Sequence, residues 1–128
     1  MTVIGIGTDI VECLRIAQMI ERHGELFLTR VYTRREVEYC SSRKAAKQHY
    51  AGRWAAKEAV LKAMGTGWSR GISWQDVEIR SDEGGRPSIA IGGNARIVCE
   101  QLGIGELLIS ISHCRTHATA YSLAMARD

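Results

Sequence analysis

The N-terminal residues alternate between apolar and small side chains. A strand over residues 3–8 would place isoleucines on one face and Gly5 and Gly7 on the other. Asp9 continues the glycine face. Glycine weakens a strand and often marks the close approach of a ligand or of another backbone, so this face is a candidate binding surface.

The alternation then changes to helical spacing. Residues 10–22 predict a first helix, which Gly24 would end. Residues 34–41 predict a second helix, with Thr33 as its N-cap and Glu36 as the capping-box partner three residues later.

The third predicted helix, residues 47–64, is apolar around most of its circumference and is therefore expected to be buried. Gly65-Thr66-Gly67 would terminate it. Charged groups on a buried helix are costly unless they are paired or bind something. Glu58 and Lys62 are four residues apart and would form a helical ion pair, although a partly exposed pair with no function is the commoner case.

The remaining pattern predicts two hairpins separated by a helix. The order of elements is typical of a single α+β domain over residues 1–128, with a mainly antiparallel sheet packed against the long buried helix. The predicted elements are a first hairpin of residues 74–80 and 88–91, a helix over 94–102, and a second hairpin of residues 107–113 and 117–125.

Composition narrows the class of protein. The chain is 45% hydrophobic and 24% charged, which is typical of a soluble globular protein. No cysteine pair has C-x-x-C spacing, and free thiols favour a reducing cytoplasm. No stretch is apolar enough to span a membrane, so we expect a cytoplasmic protein without a membrane partner. The four cysteines are Cys13, Cys40, Cys99 and Cys114.

Charge is distributed unevenly. Residues 1–70 hold 12 Lys and Arg against 7 Asp and Glu, whereas residues 71–128 hold 5 against 7. A basic half favours an anionic partner, such as a phosphorylated ligand, a nucleic acid or an acidic protein. An ordinary solvated surface explains the same charges.

Asp9 has two interpretations. With Glu12 three residues later, it matches the N-cap of a helix. Alternatively, a carboxylate beside two glycines suits a hard cation and the phosphate oxygens that such a cation carries. A metal site built on His113, Cys114 and His117 is less favoured, because a strand-turn-strand does not bring these side chains together as a helix would.

Several segments together resemble the holo-acyl-carrier-protein synthase family of phosphopantetheinyl transferases. The resemblance covers essentially the whole chain in order, and its Trp-Ala-Ala-Lys-Glu-Ala motif is highly specific. The matching segments are Gly5-Ile6-Gly7-Thr8-Asp9-Ile10-Val11-Glu12, residues 52–63, Gly65-Thr66-Gly67, Trp74-Gln75-Asp76-Val77-Glu78-Ile79, Gly84-Gly85-Arg86-Pro87 and Ser110-Ile111-Ser112-His113.

The resemblance implies a reaction. A serine of an apo-acyl carrier protein would receive the 4′-phosphopantetheine group of coenzyme A, and adenosine 3′,5′-bisphosphate would leave. Asp9 and Glu58 would hold Mg²⁺, or Mn²⁺ in its place, and Lys62 would neutralise a phosphoryl oxygen. These three residues are the predicted catalytic group.

The resemblance also implies a homotrimer with active sites between subunits. Coenzyme A would be bound by Arg53, His113, Lys44 and Gly65. Arg15, Met19 and Arg22 fall on one face of the first helix at i, i+4 and i+7, where they would meet the acidic carrier protein.

The segment after His113 departs from the family pattern. Many relatives carry Thr where this chain has Cys114, so a hydroxyl contact to phosphate is in doubt. A non-catalytic basic module that binds a nucleotide or nucleic acid is the alternative function. It is disfavoured because the chain lacks interleaved exposed aromatics, and we expect no nucleic-acid partner.

Overall fold

The computed structural model describes residues 2–128 and shows eleven elements. An N-terminal strand leads into four helices, and two hairpins on either side of a fifth helix complete the chain. The elements are β1 (Val3–Glu12), α1 (Cys13–His23), α2 (Glu25–Val31), α3 (Arg34–Ser41), α4 (Ala46–Met64), a 3₁₀ turn (Trp74–Asp76), β2 (Val77–Ser81), β3 (Pro87–Ile91), α5 (Gly93–Leu102), β4 (Ile104–His113) and β5 (His117–Ala126).

The predicted α+β class is confirmed. A three-stranded antiparallel sheet in the order β1-β5-β4 packs against α4, and β2 and β3 form a separate antiparallel hairpin. Twelve of the nineteen residues of α4 are buried, as its apolar circumference predicted. The sheet therefore presents one face to a central helix.

Small side chains make this packing possible. An added Cβ on Gly7 would overlap the carbonyl oxygen of Ala59 and lie 2.6 Å from the nitrogen of Ala63. Gly5 meets the Ala63 carbonyl in the same way. The glycine face of β1 is thus occupied by the backbone of α4, which resolves the choice between ligand and backbone that the sequence left open.

The boundary between β1 and α1 differs from the prediction. β1 continues through Asp9 to Glu12, because residues 10–12 keep pairing with Thr119, Ala118 and His117 of β5. Asp9 lies inside the strand, so its N-cap interpretation is wrong. α1 begins at Cys13 instead of residue 10, and Gly24 caps its end, as predicted.

Two further elements differ in kind. α2 was not predicted, because it has only seven residues and follows Gly24 directly. The segment Trp74–Asp76 is a 3₁₀ turn, since Ser73 and Asp76 form a capping box that curls the chain before β2. The capping box of Thr33 and Glu36 at the start of α3 is confirmed.

The opposite face of the large sheet is apolar and uncovered in the single chain. Ile6 and Ile10 of β1 are 68% and 67% exposed, and Tyr121 of β5 is 55% exposed. Within residues 2–128, no helix is both long and apolar enough to cross a membrane.

Candidate active site

Asp9 and Lys62 are brought together where β1 crosses α4. The Lys62 ammonium donates to Asp9 Oδ1 at 3.2 Å and to the Thr8 carbonyl at 2.9 Å. The predicted pairing of Lys62 with Glu58 is therefore wrong. Because β1 packs on α4, the Asp9 carboxylate and the Thr8 carbonyl lie closer to the Lys62 ammonium than the hydrogen-bond limit, and Lys62 pairs with these groups instead of Glu58.

One oxygen of Asp9 has no partner. Oδ2 is buried and receives no hydrogen bond from any described residue. A buried carboxylate oxygen left in this state is costly unless a cation or another donor satisfies it. The atom therefore suits a bound cation.

Glu58 lies on α4, one turn before Lys62. Its Oε1 accepts a hydrogen bond of 3.1 Å from the indole nitrogen of Trp68. An added Cβ on Gly7 would lie 2.8 Å from the Cβ of Lys62, and α4 runs antiparallel to β1. Asp9, two residues after Gly7 on the same strand face, is therefore expected about one helical turn back from Lys62, on the side of Glu58. Among residues 2–128, no cluster of three His, Cys, Asp or Glu side chains forms a ready metal site, so any cation here would take its remaining ligands from water or substrate.

A second cluster surrounds a small pocket of about 100 Å³ at the other end of α4, with Arg53 and His113 in its wall. Arg53 is 4% exposed, and its guanidinium donates to Ser81 Oγ at 2.8 Å and lies 4.1 Å from the centre of the Tyr39 ring. Its Nε is buried and unpartnered among the described residues. The structure thus places Arg53 and His113 at one cavity, while their contact with coenzyme A stays a prediction.

The pocket is electropositive. The His113 ring lies 5.0 Å from His49 and is held by Gln48, 2.7 Å from Nδ1. Burial lowers the pKa of His49, and the neighbouring His113, Arg53 and Arg43 lower it further. An anion in this pocket would relieve the repulsion among these groups.

Lys44 is not part of this cluster. It is exposed in the turn before α4, and among residues 2–128 it forms no hydrogen bond and no wall of the pocket. Its neighbour Arg43 instead stacks on Tyr39 at 4.3 Å. Sequence reasoning missed Arg43, His49 and Tyr39, because their roles depend on how α3 meets α4.

Gly65 ends α4 in the left-handed conformation, with φ of 78°. An added Cβ there would meet no atom within 4 Å, so the position is open as well as glycine-specific. This geometry confirms Gly65 as the helix terminator, while contact with coenzyme A stays a prediction.

The face of α1 that was predicted to meet the carrier protein is exposed to solvent. Arg15 and Arg22 are exposed, and Met19 is half-buried against the core. The Arg15 guanidinium lies 5.9 Å from the ring of Trp54, which ties this face to α4. A larger groove of about 870 Å³, between β3, α5 and β4, contains none of the predicted site residues.

Cys114 is expected to be the first thiol to react with iodoacetamide in the native protein. Hydrogen bonds from the Thr116 hydroxyl and from the backbone N–H groups of Thr116 and His117 lower the pKa of its exposed thiol. Because the thiolate is the nucleophile, a lowered pKa gives more reactive thiol at about pH 8 than an ordinary cysteine has. Burial raises the pKa of Cys40 to about 12, so that residue should stay unlabelled. Peptide mapping by mass spectrometry after brief exposure measures the order, and earlier labelling of Cys13 or Cys99 would contradict it.

Comparison with known proteins places this geometry in a family. The sequence profile of the 4′-phosphopantetheinyl transferase superfamily matches residues 5–125. A holo-[acyl-carrier-protein] synthase of Protochlamydia amoebophila is 49% identical over 120 residues, covering 94% of this chain and 96% of that relative.

Solved structures agree. Holo-[acyl-carrier-protein] synthase from Neisseria meningitidis superposes with a TM-score of 0.89 at 31% identity, covering 97% of this chain and 99% of that one. The Helicobacter pylori enzyme in complex with coenzyme A superposes with a TM-score of 0.82 at 29% identity, covering 94% and 99% of the two chains. The chain therefore belongs to the holo-[acyl-carrier-protein] synthases of the 4′-phosphopantetheinyl transferase superfamily.

Proposed function

We propose that this protein transfers the 4′-phosphopantetheine group of coenzyme A to a serine of an apo-acyl carrier protein, in a reaction that requires Mg²⁺. The observation that carries the proposal is the seam between β1 and α4, where Asp9 has one oxygen on Lys62 and the other buried with no donor among residues 2–128. Relatives with the same fold carry this activity in their names, and at least two of them were solved with coenzyme A.

The residues at the seam fit a divalent cation. Within residues 2–128 Asp9 Oδ2 lacks a donor, and Glu58, one turn of α4 before Lys62, has its Oε1 bonded to the indole of Trp68. Each carboxylate therefore has one oxygen free for a metal, and we propose that the two share one cation. Two carboxylates completed by waters and substrate phosphates are the usual way in which proteins bind Mg²⁺. A bound Mg²⁺ would neutralise the negative charge that develops on phosphate oxygens during transfer.

The protein's own groups would position the reactants. In the reaction, the serine oxygen forms a bond to the phosphorus that carries pantetheine, and the bond from that phosphorus to the bridging oxygen breaks. The bridging oxygen leaves with adenosine 3′,5′-bisphosphate, and the proton of the serine hydroxyl passes to a water molecule. The Lys62 side chain is 53% exposed, and its ammonium is held by Asp9 and the Thr8 carbonyl. The ammonium can therefore face a phosphate oxygen and stabilise the negative charge that develops there during transfer.

Arg53, His113 and the basic groups around them would bind another phosphate of coenzyme A. The unpartnered Arg53 Nε, the stacked guanidinium and the ring of His113 supply donors and positive charge around one small cavity. We also assign Gly65 to the coenzyme A site, because its open backbone at the end of α4 lets a ligand approach closely. Lys44 is exposed beside Arg43 in the turn before α4, and we assign it a contact with coenzyme A at the edge of this site.

The two sites lie on different faces of α4, which favours an assembly of copies. Arg53 is about 140° around the helix from Glu58, so one ligand cannot easily reach both within one chain. The exposed isoleucines of β1 and Tyr121 form an apolar sheet face of the kind that subunits bury. We propose a homotrimer with active sites between subunits, and sedimentation equilibrium showing a monomer at micromolar concentration would refute it.

Cytoplasmic localisation, expected from the free thiols, stays a prediction.

Charge reversal at Arg15 is expected to weaken carrier-protein docking. Arg15→Glu should raise the KM for the carrier protein about tenfold and leave the KM for coenzyme A unchanged, because this exposed arginine faces an acidic partner. Steady-state kinetics with each substrate varied in turn measures both constants. Arg96→Glu, a reversal on α5, is the matched control, and an unchanged carrier-protein KM in Arg15→Glu would show that the partner docks elsewhere.

The reaction itself is tested by mass spectrometry of an apo-carrier protein incubated with this enzyme and coenzyme A, with and without Mg²⁺. The carrier should gain the mass of one phosphopantetheine group only when Mg²⁺ is present. No gain under both conditions would refute the proposed function.

A further inference from the structure

Three tryptophans form a continuous stack beside the seam. The ring centres of Trp54 and Trp74 are 5.6 Å apart with 29° between their planes, and those of Trp68 and Trp74 are 4.0 Å apart with 32°. All three are half-buried and pack against the core. Stacked aromatic rings have few rotatable bonds, so this column is a rigid element.

Trp68 stands at the end of the column nearest Glu58. It lies between α4 and the 3₁₀ turn, in a segment without helix or strand, and its stacking on Trp74 fixes it there. Its indole N–H donates to Glu58 Oε1 at 3.1 Å. An indole has a single donor and no acceptor, so the bond can form in only one direction.

We propose that Trp68 is a positioning residue that orients the Glu58 carboxylate for the metal ion. This inference rests on the proposed function, which gives Glu58 its metal. Glutamate loses considerable rotamer freedom when it is held in one place. The indole contact restrains Oε1 before any ligand arrives, and it leaves Oε2 to meet the cation.

The consequence is a preference for one-oxygen binding by Glu58. A carboxylate with one oxygen committed to an N–H donor is less able to bind a cation through both oxygens. Mg²⁺ requires near-octahedral geometry and commonly keeps several waters, so a single glutamate oxygen suits it. Groups that hold a metal ligand in this way commonly contribute 10- to 100-fold to metal affinity or activity.

Substitution of Trp68 by phenylalanine tests the inference, because it keeps a ring in the stack and removes the N–H. Trp68→Phe should weaken Mn²⁺ binding about tenfold, measured by calorimetric titration of the enzyme with coenzyme A present and no carrier protein. Trp74→Phe is the matched control. Among residues 2–128 the Trp74 indole N–H donates to no group, so Trp74→Phe changes the same stack without removing a hydrogen bond. Its affinity for Mn²⁺ should therefore stay within about twofold of the wild type.

Two further measurements separate positioning from stability. In the Glu58→Gln background, Trp68→Phe should have no further effect on metal affinity, because the charge that it orients is gone. In the NMR spectrum of protein labelled with ¹⁵N-tryptophan, the resonance that disappears in Trp68→Phe is the indole N–H of Trp68. Of the indole resonances, Glu58→Gln should shift this one most. This second test does not require the phenylalanine variant to fold well, since assignment by elimination from Trp54→Phe and Trp74→Phe identifies the same signal.

The outcomes distinguish the inference from the proposed function. Wild-type affinity for Mn²⁺ in a folded Trp68→Phe, or an unmoved indole resonance in Glu58→Gln, overturns the positioning role and leaves the reaction in place. If Trp68→Phe weakens Mn²⁺ binding but the wild-type enzyme transfers no phosphopantetheine, the positioning role is supported and the proposed reaction is refuted. A wild-type enzyme that binds no divalent cation overturns both.

Discussion

Glu58→Gln is expected to lower kcat/KM for phosphopantetheine transfer by about 10²- to 10³-fold without unfolding the protein. Glutamine has nearly the same size and can still accept the Trp68 hydrogen bond through its amide oxygen. It carries no negative charge, however, so the proposed cation would lose one of its two protein carboxylates. Steady-state kinetics at several Mg²⁺ concentrations measures the loss, and a raised Mg²⁺ requirement identifies its cause.

Asp9→Asn and a control on another helix sharpen this test. Asp9→Asn should show a loss of similar size, and the double variant should lose less than the product of the two, because both carboxylates would serve one cation. Glu100→Gln removes an exposed carboxylate on α5 and should keep wild-type activity. Full activity in a folded Glu58→Gln or Asp9→Asn would remove the basis of the metal site.

The sequence predicted elements where local signals were complete. The capping box of Thr33 and Glu36 begins α3 where expected, and the glycines at 24 and 65 end α1 and α4. Each of these signals acts within a few residues, so it can be identified without the rest of the fold.

The end of β1 could not be predicted from local signals. Residues 10–12 fit a helix start by spacing, but pairing with residues 117–119 of the last strand extends β1 instead. Ile10 is 67% exposed on the outer sheet face, although helical spacing had predicted it as the first residue of a helix. The partner strand lies more than a hundred residues away, and helical periodicity contains no information about it.

The partners of charged groups were the least predictable part of the site. The positions of Asp9, Glu58 and Lys62 followed from the family resemblance, but spacing paired Lys62 with the wrong acid. Lys62 pairs with Asp9 because β1 places Asp9 and the Thr8 carbonyl within hydrogen-bond distance of its ammonium. The indole of Trp68 then takes the place of Lys62 as the partner of Glu58.

Lys57, the residue before Glu58, illustrates the same limit and carries the largest expected effect on stability. Its side chain is 0% exposed, and its ammonium lies 2.8 Å from Glu36 Oε1, 2.6 Å from the Val77 carbonyl and 3.0 Å from the Trp74 carbonyl. Burial lowers the pKa of Lys57, and the Glu36 carboxylate opposes that change. The capping glutamate of α3 therefore also neutralises a charge inside α4, a double role that no local pattern indicates.

Lys57→Met is expected to lower the free energy of unfolding by about 3–5 kcal/mol, because it leaves the buried Glu36 carboxylate without its counter-ion. For a domain of this size the melting temperature should fall by roughly 10–20 °C. Urea unfolding measures the free energy. Lys47→Met, an exposed lysine on the same helix, is the matched control and should stay within about 0.5 kcal/mol of the wild type.

A second variant separates the ion pair from simple loss of packing. Lys57→Met combined with Glu36→Leu should be more stable than Lys57→Met alone, because it removes the uncompensated charge. The recovery should be partial, since Glu36 Oε1 and Oε2 also accept from the backbone N–H groups of Thr33 and Ile79, and these donors would lose their acceptor. Equal stability of Lys57→Met and the wild type would show that Glu36 tolerates its site with backbone donors alone. The ammonium would then be dispensable for joining α3, α4 and β2.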